Sequence, residues 1–351
     1  GRHPGADQLA AVFYVNVPLL LLAAWLVWRG LHQPAIVRRE GQVDYPGAAT
    51  LTIAVSALLL LTVIAGGAKG IPGWLAWPTA AVSLTFLALF IIIERRSDAP
   101  LLPLGLFRGR LIAVAALLSF AFGIVLFACD TYIPMYVQGV RGGDALLAGL
   151  ALTPLSLGWL VGATLSGGLL LRIGYRDTLL SGAGLIVIGA ILLAGLGPGL
   201  PWWYVVALTL ALGLGMGFAT TALLIAVQDS VEYERRGVVT ALTQFASNMG
   251  GALGVALLGV ALNAALGQQT ARLANAETQY ARQIASLGSA NDLLDPARRV
   301  ALDPGLLSGL QGALGAALQI VYSGVLLVAA LYLLTALFFP AIRLIAKSKL
   351  P

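Results

Sequence analysis

LIAVAALLSFAFGIVLFACDTYIPMYV, Leu111 to Val137, is an apolar run that carries one carboxylate, Asp130, and a proline four residues later, Pro134. A helix needs about 20 apolar residues to cross the hydrocarbon core of a bilayer. This run is longer than that. It does not alternate polar and apolar residues as a barrel strand would. In lipid every backbone N–H and C=O must be bonded within the protein, so a long unalternating run is read as a helix. The rest of the chain is of the same kind. Of 351 residues 59% are hydrophobic and only 10% charged, against about 25% charged in a soluble domain. Mean hydropathy is +0.91. Such a chain cannot cover itself with polar side chains, and its solvent is lipid. The fold class is an all-α integral membrane protein.

Nine runs have the length or nearly so: Ala10–Trp28, Gly47–Ala65, Trp74–Ile93, Leu111–Val137, Ala145–Leu171, Thr178–Leu196, Trp202–Val227, Val238–Leu266 and Ala316–Pro340. Lys and Arg in the short gaps set their direction, because cytoplasmic loops are the basic ones. One set of gaps holds 14 of the 21 Lys and Arg residues, among them Arg95, Arg96, Arg172, Arg176, Arg235 and Arg236. The other side's short segments hold Arg2, Lys69 and Arg141. The C-terminus is therefore expected in the cytoplasm and the first run is expected to start outside. A long outside loop is expected at about 267–315, with a surface helix over Gln269–Leu287. The first run lacks a small-residue cleavage site and is followed by basic residues, so it does not read as a secretory signal. The chain starts without methionine and reads as the later part of a longer membrane protein.

Composition also excludes functions. One cysteine, Cys129, allows neither an internal disulfide nor a cysteine metal cluster. Two histidines, His3 and His32, cannot make a three-histidine site, and no metal or other cofactor is expected. The net charge of +6 sits in short gaps between apolar runs, which argues for a membrane and against nucleic acid. The arginine and alanine bias hints at a GC-rich bacterium.

Several motifs in order resemble the fourteen-helix drug:proton antiporter branch of the major facilitator superfamily. They are FYVNVP (Phe13–Pro18), VDYPGA (Val43–Ala48), PLLPLGLFRGR (Pro100–Arg110) and YIPMYVQGVRGGDALLAGLALTPL (Tyr132–Leu155). GLGMGF (Gly213–Phe218), AVQDSVEYERRG (Ala226–Gly237) and NMGGALGVALLG (Asn248–Gly259) follow. The resemblance implies that residues 1–30 hold the last helix of an N-terminal half. Residues 31–110 would hold two inserted helices with cytoplasmic loops, and 111–351 the C-terminal six-helix half. It implies a proton gradient as energy source and a small amphipathic substrate, in a bacterial cell membrane; oligomeric state is open. Gly167–Arg176, GGLLLRIGYR, is similar to the family's cytoplasmic G-x-x-x-D-R-x-G-R-R/K motif. Arg172, Gly174 and Arg176 match it and are the conformational candidates, together with Pro134. Leu171 stands where the family has aspartate and Tyr175 where it has a basic residue, so a tight basic turn is the alternative reading.

Helical spacing is read independently of any family. Ser119, Gly123, Asp130 and Pro134 fall on one face of the fourth run. Thr240, Gln244, Ser247, Gly251 and Gly254 do so in the eighth, with Asn248 one turn from Gln244. Gly213, Gly217, Thr220 and Thr221 form a stripe in the seventh that ends near Gln228. Polar stripes avoid lipid, so these three helices are expected to face protein or water and the sixth and ninth to face lipid. The substrate-cavity candidates are Ser119, Gly123, Gln138, Thr220, Gln228, Thr240, Gln244, Ser247 and Asn248. The alternative for the glycines, including the Gly158/Gly162 and Gly250/Gly254 pairs, is close helix packing.

Asp130 is the one acidic residue well inside a run, about 10 Å below the end at Val137 at roughly 1.5 Å per residue. A charge at a helix centre costs about 2.5–3.5 kcal/mol on insertion scales. A carboxyl kept at that cost can carry a proton from one side to the other as its exposure alternates. Pro134 has no N–H, so the Asp130 carbonyl loses its usual partner and the helix should bend there. The alternative is a structural bond to a Ser, Thr or Tyr neighbour or to Arg141.

Three functions compete. The first is proton-coupled efflux of amphipathic drugs or metabolites by alternating access. The second is a membrane scaffold or degenerate half-transporter needing a partner chain. The third, a membrane enzyme, needs a cluster of His, Cys, Asp or Glu or an activated nucleophile, which the runs do not offer; we read the chain as not an enzyme. No P-loop sequence is present for an ATP-driven pump.

Overall fold

A computed structural model describes residues 17–18, 20–30, 44–65, 71–97, 105, 109–276 and 303–340. Phe13–Asn16, most of Pro100–Arg110 and the middle of the long loop lie outside the described residues. Helix α1, Leu20–Gly30, belongs to a separate unit ending at Val43. Within it the Arg29 guanidinium lies 4.7 Å from the Trp25 ring centroid.

The second unit, Asp44–Pro351, holds seven helices long and apolar enough to cross a membrane. They are α2 (Tyr45–Ala65), α3 (Ala76–Arg96), α4 (Arg110–Met135), α5 (Ala145–Ala194), α6 (Trp202–Asp229), α7 (Arg236–Ala276) and α8 (Pro304–Leu337). Asp44 caps α2, its carboxylate accepting from the Gly47 N–H at 2.8 Å. Helices α2 and α3 form a hairpin, pinned by a bond from the buried Ser83 hydroxyl to the Ala54 carbonyl at 3.0 Å.

The 50-residue α5 is two spans in one. Gly174 has φ 85° and ψ 176°, outside any helical range, and turns the chain between a first arm and a second. Only glycine holds a positive φ there without strain. The Thr178 hydroxyl bonds the Gly174 carbonyl at 2.8 Å and fixes the start of the second arm. The fifth and sixth runs of the sequence are these arms.

Helix α6 lies against both arms and is the most enclosed span. Glycine makes this possible. A Cβ on Gly162 would come within 2.5 Å of the Leu214 carbonyl oxygen, and one on Gly182 within 2.6 Å of the Ala219 nitrogen. Helix α4 crosses α7 in the same way. A Cβ on Gly123 would run into the Ser247 carbonyl, and one on Gly250 into the Phe120 carbonyl. Lipid supplies no hydrophobic drive between helices, so contact at this range and interhelical hydrogen bonds hold them.

Three findings correct the sequence reading. The break expected at Pro134 takes the form of a π-helical turn, Tyr136–Val140, directly after α4. Arg141 N–H bonds the Tyr136 carbonyl there at 3.1 Å, five residues back. The wider turn takes up the register that the missing proline N–H leaves. The loop expected at 267–315 is helical at both described ends: α7 runs to Ala276, and α8 starts at Pro304 with Asp303 as its cap. The ninth run, α8, does not face outward all round. It buries Tyr322 and Tyr332 at 1% exposure each, and its exposed row is Ile320, Leu327, Leu331 and Leu334. The Tyr322 hydroxyl donates to the Tyr132 carbonyl at 3.0 Å, and the Tyr132 hydroxyl to the Val255 carbonyl at 2.9 Å. These two bonds tie α8, α4 and α7 together.

Gly250→Val should cost about 3 kcal/mol, because backbone cannot move aside as a side chain can. A drop in melting temperature of the detergent-solubilised protein checks this. Gly184→Ala, with nothing within 4 Å of the added methyl, should hold or raise it.

Candidate functional site

Helices α4 to α8 wall a cavity of about 190 Å³. Its polar groups come from three helices. Ser119 lies on α4, Thr220 on α6, and Thr243, Gln244, Ser247 and Asn248 on α7. Its aromatic groups are Phe122 and Phe127 on α4, Trp159 on α5 and Tyr332 on α8. Leu126, Leu223 and Leu224 complete the lining. Phe122 and Trp159 meet edge to face, with centroids 5.6 Å apart and planes at 83°. Gln244 Nε2 donates to Asn248 Oδ1 at 3.2 Å along the exposed side of α7. Ser119 and Ser247 are buried beside the Gly123 crossing. The Tyr332 hydroxyl is buried and has no partner among the described residues.

Five of the cavity candidates thus share one cavity: Ser119, Thr220, Gln244, Ser247 and Asn248. The other four lie elsewhere. Gly123 is a contact surface under the Ser247 backbone, because the crossing leaves no room for a ligand. Gln228 Nε2 donates to the Thr240 hydroxyl at 3.0 Å, joining the end of α6 to the start of α7. Gln138 sits half-buried in the π turn.

Asp130 is exposed, one turn along α4 from Phe127 and outside the cavity lining. Arg141, one of the partners in the alternative reading, is engaged otherwise. That guanidinium donates to the Leu200 carbonyl at 2.8 Å and lies 5.6 Å from the Trp202 ring centroid. Pro134 is half-buried two residues before the π turn.

At the far end of α4 to α8 from Asp130, the GGLLLRIGYR segment forms a second cluster. Gly174 is the bend itself, and Arg172 is exposed. Arg176 donates to the Leu337 carbonyl at 3.0 Å, tying α5 to the end of α8. Tyr175, read from the sequence only as the loss of a basic residue, donates its hydroxyl to Asp229 at 2.6 Å. Asp229 also pairs with Arg236 at 3.4 Å. The tyrosine reaches a carboxylate on α6, so the motif's altered position still makes a polar link between loops. Sequence reasoning missed Thr243 and Tyr332. Thr243 borders the stripe of Thr240, Ser247 and Gly254 and could have been found by the same spacing, whereas Tyr332 is set in an apolar helix where a lone tyrosine gives no periodic signal.

The described residues form a bundle of apolar helices long enough to cross a membrane, five of which wall an uncharged polar cavity. The chain belongs to the major facilitator superfamily, whose sequence model matches residues 7–255. It is 30% identical over 259 residues to the multidrug transporter protein MdtP of Bacillus subtilis, covering 73% of this chain and 47% of that protein. Multidrug resistance protein 3 of the same species is 28% identical over 251 residues, 71% of this chain and 48% of that one. The tetracycline resistance determinant of Streptomyces rimosus is 32% identical over 218 residues, 62% of each. The chain spans about half the length of the first two relatives. By name one of these is a multidrug transporter and the other two are drug-resistance proteins.

Cys129 is 0% exposed, so the native thiol should resist a water-soluble maleimide in intact membranes. In a Cys129→Ser background, Asn248→Cys should label at least tenfold faster. Equal rates would place Asn248 out of reach of water.

Proposed function

We propose that the protein exports small amphipathic molecules across a bacterial cell membrane by alternating access, exchanging them for protons. The cavity carries this reading. Amide, hydroxyl and aromatic groups from five helices converge on one space inside the membrane-spanning region. A few polar groups on a largely apolar wall are what orients a small ligand. The names of the relatives point to drugs and antibiotics as the substrate class. Residues 111–351 act as one six-helix half in this reading, with α5 counted as two spans. The C-terminus and the Gly174 bend lie in the cytoplasm, as the basic gaps require.

Asp130 is the group we assign to the proton. It stands apart from hydrogen-bond and ion-pair partners among the described residues, on the exposed side of α4. It is also one turn from a cavity residue, Phe127. A change in the helix near the π turn alters its exposure and the cavity wall together. The polar links Tyr175–Asp229–Arg236 and Arg176–Leu337 hold the cytoplasmic ends in the arrangement seen. They open when those ends part.

Asp130→Asn should abolish proton-driven uphill efflux at matched expression, while downhill exchange persists. Transport in everted membrane vesicles, with and without a pH gradient, measures both. Unchanged uphill efflux would assign the proton to another carboxylate. Efflux that survives collapse of the gradient in the unmodified protein would remove proton coupling altogether.

A further inference from the structure

The cavity lining divides by helix. The rings of Phe122, Phe127 and Trp159 come from α4 and α5, and two amides, Gln244 and Asn248, come from α7. Both amides are exposed, so a molecule in the cavity can reach them. The hydroxyls are committed or enclosed. Thr220 donates to the Met216 carbonyl at 2.7 Å and Thr243 to the Thr240 carbonyl at 2.9 Å, each within its own helix. Ser119 and Ser247 are buried. The accessible polar edge of the cavity is therefore the amide couple.

That couple has a definite hydrogen-bonding character. Gln244 Nε2 donates to Asn248 Oδ1 at 3.2 Å. A side-chain amide carries two N–H donors and a carbonyl acceptor, so this bond leaves the Gln244 carbonyl and the Asn248 NH₂ unspent. With the direction reversed, the Asn248 carbonyl and the Gln244 NH₂ remain. Either way one acceptor and one donor stand together, a helical turn apart on one face of α7. A ligand group that satisfies both at once carries a donor and an acceptor on neighbouring atoms. The N–H and C=O of a lactam ring are such a pair. A group with an acceptor alone satisfies half of the couple.

We infer that the cavity recognises aromatic molecules with a lactam-type edge, the Gln244–Asn248 couple pairing with the N–H and C=O of that edge and Phe122, Phe127 and Trp159 lying against the rings. This rests on the cavity being the substrate site. The space suits such a ligand. An engineered cavity of about 150 Å³ holds a benzene ring, and this one has about 190 Å³. Because both amides are exposed, a longer ring system can extend past them. A site that bonds a ligand N–H also discriminates against the analogue that lacks it, since its own acceptor is then left unpaired.

The test uses three planar tricycles of matched shape. Phenanthridinone carries the lactam N–H and C=O, 5-methylphenanthridinone keeps the carbonyl without the donor, and phenanthrene has neither. Binding to the 351-residue chain in nanodiscs is measured by equilibrium dialysis, after subtraction of partition into protein-free nanodiscs. Phenanthridinone should bind about fivefold more tightly than its N-methyl form, the worth of one net hydrogen bond. Replacing both amides, Gln244→Leu with Asn248→Leu, should erase that preference and leave phenanthrene unweakened. The two side chains are exposed and bond each other, so their joint loss leaves no buried group unpaired. Equal binding of phenanthridinone and its N-methyl form by the unmodified chain would overturn the inference. So would a preference that survives in the double variant. Phenanthrene weakening together with phenanthridinone would mean that the amides shape the cavity rather than read the lactam, and would overturn it too. Thr220→Phe, which fills the cavity, separates this from the reading beneath it. If Thr220→Phe weakens all three probes but the double variant changes none, the cavity binds and only this inference falls. If Thr220→Phe changes nothing, or no probe binds, the cavity is not the site and both readings fall.

Discussion

The crossing of α4 over α7 is the contact on which the site depends. Gly123 meets the Ser247 backbone and Gly250 meets the Phe120 backbone. With no hydrophobic drive between helices in lipid, such backbone proximity is a main source of attraction. It also fixes where polar side chains go. Ser119 is one helical turn from Gly123, and Asn248 follows Ser247 directly, so the helices part beside the crossing with hydroxyls and an amide along the opening. Larger residues at the crossing would separate the helices and spread those groups apart.

Much of this architecture was legible from the order of apolar runs. Each helix from α2 onward begins or ends close to a run, because lipid demands length and tolerates few charges. What escaped reading has physical causes. The Pro134 interruption was foreseen as a bend, yet a missing N–H can be absorbed several ways, and sequence spacing does not say which. The boundaries of α7 and α8 were set too short, since polar residues past the lipid can prolong a helix without any hydropathy signal. The site was half legible. Stripes found the hydroxyls and amides of α4, α6 and α7, since spacing reveals polar groups that share a face. Spacing does not distinguish a glycine that lines a cavity from one that lets helices touch, as with Gly123. Nor does it mark Tyr332, which an otherwise apolar helix brings to the cavity wall.

The cavity and the carboxylate are separate. Asp130 lies outside the lining, while the lining is uncharged throughout. A protein arranged this way can handle substrate and proton in neighbouring places without a direct bond between them. In the proposed exchange, coupling would travel through the conformation of α4, which carries Ser119, Phe122, Phe127 and Asp130 and ends in the π turn. A rigid element shared by two sites is a physical route for such coupling.

The placing of α6 between the arms of α5 bears on biosynthesis. These three spans are consecutive, so each meets its neighbours soon after leaving the ribosome, and the group can assemble early from local contacts. The α4–α7 pair is different: Tyr132 and Val255, which bond, are 123 residues apart in sequence. Contacts so distant form late, because the chain between them must first be made and ordered. Helix α4 is therefore inserted long before its partner exists, and it waits in lipid with Ser119 and Gly123 uncovered. The gap at Gly123 that makes the finished crossing tight also leaves the newborn helix open to the wrong neighbour. The early α5–α6 group, which α4 also touches, is the surface at hand to shelter it until α7 arrives.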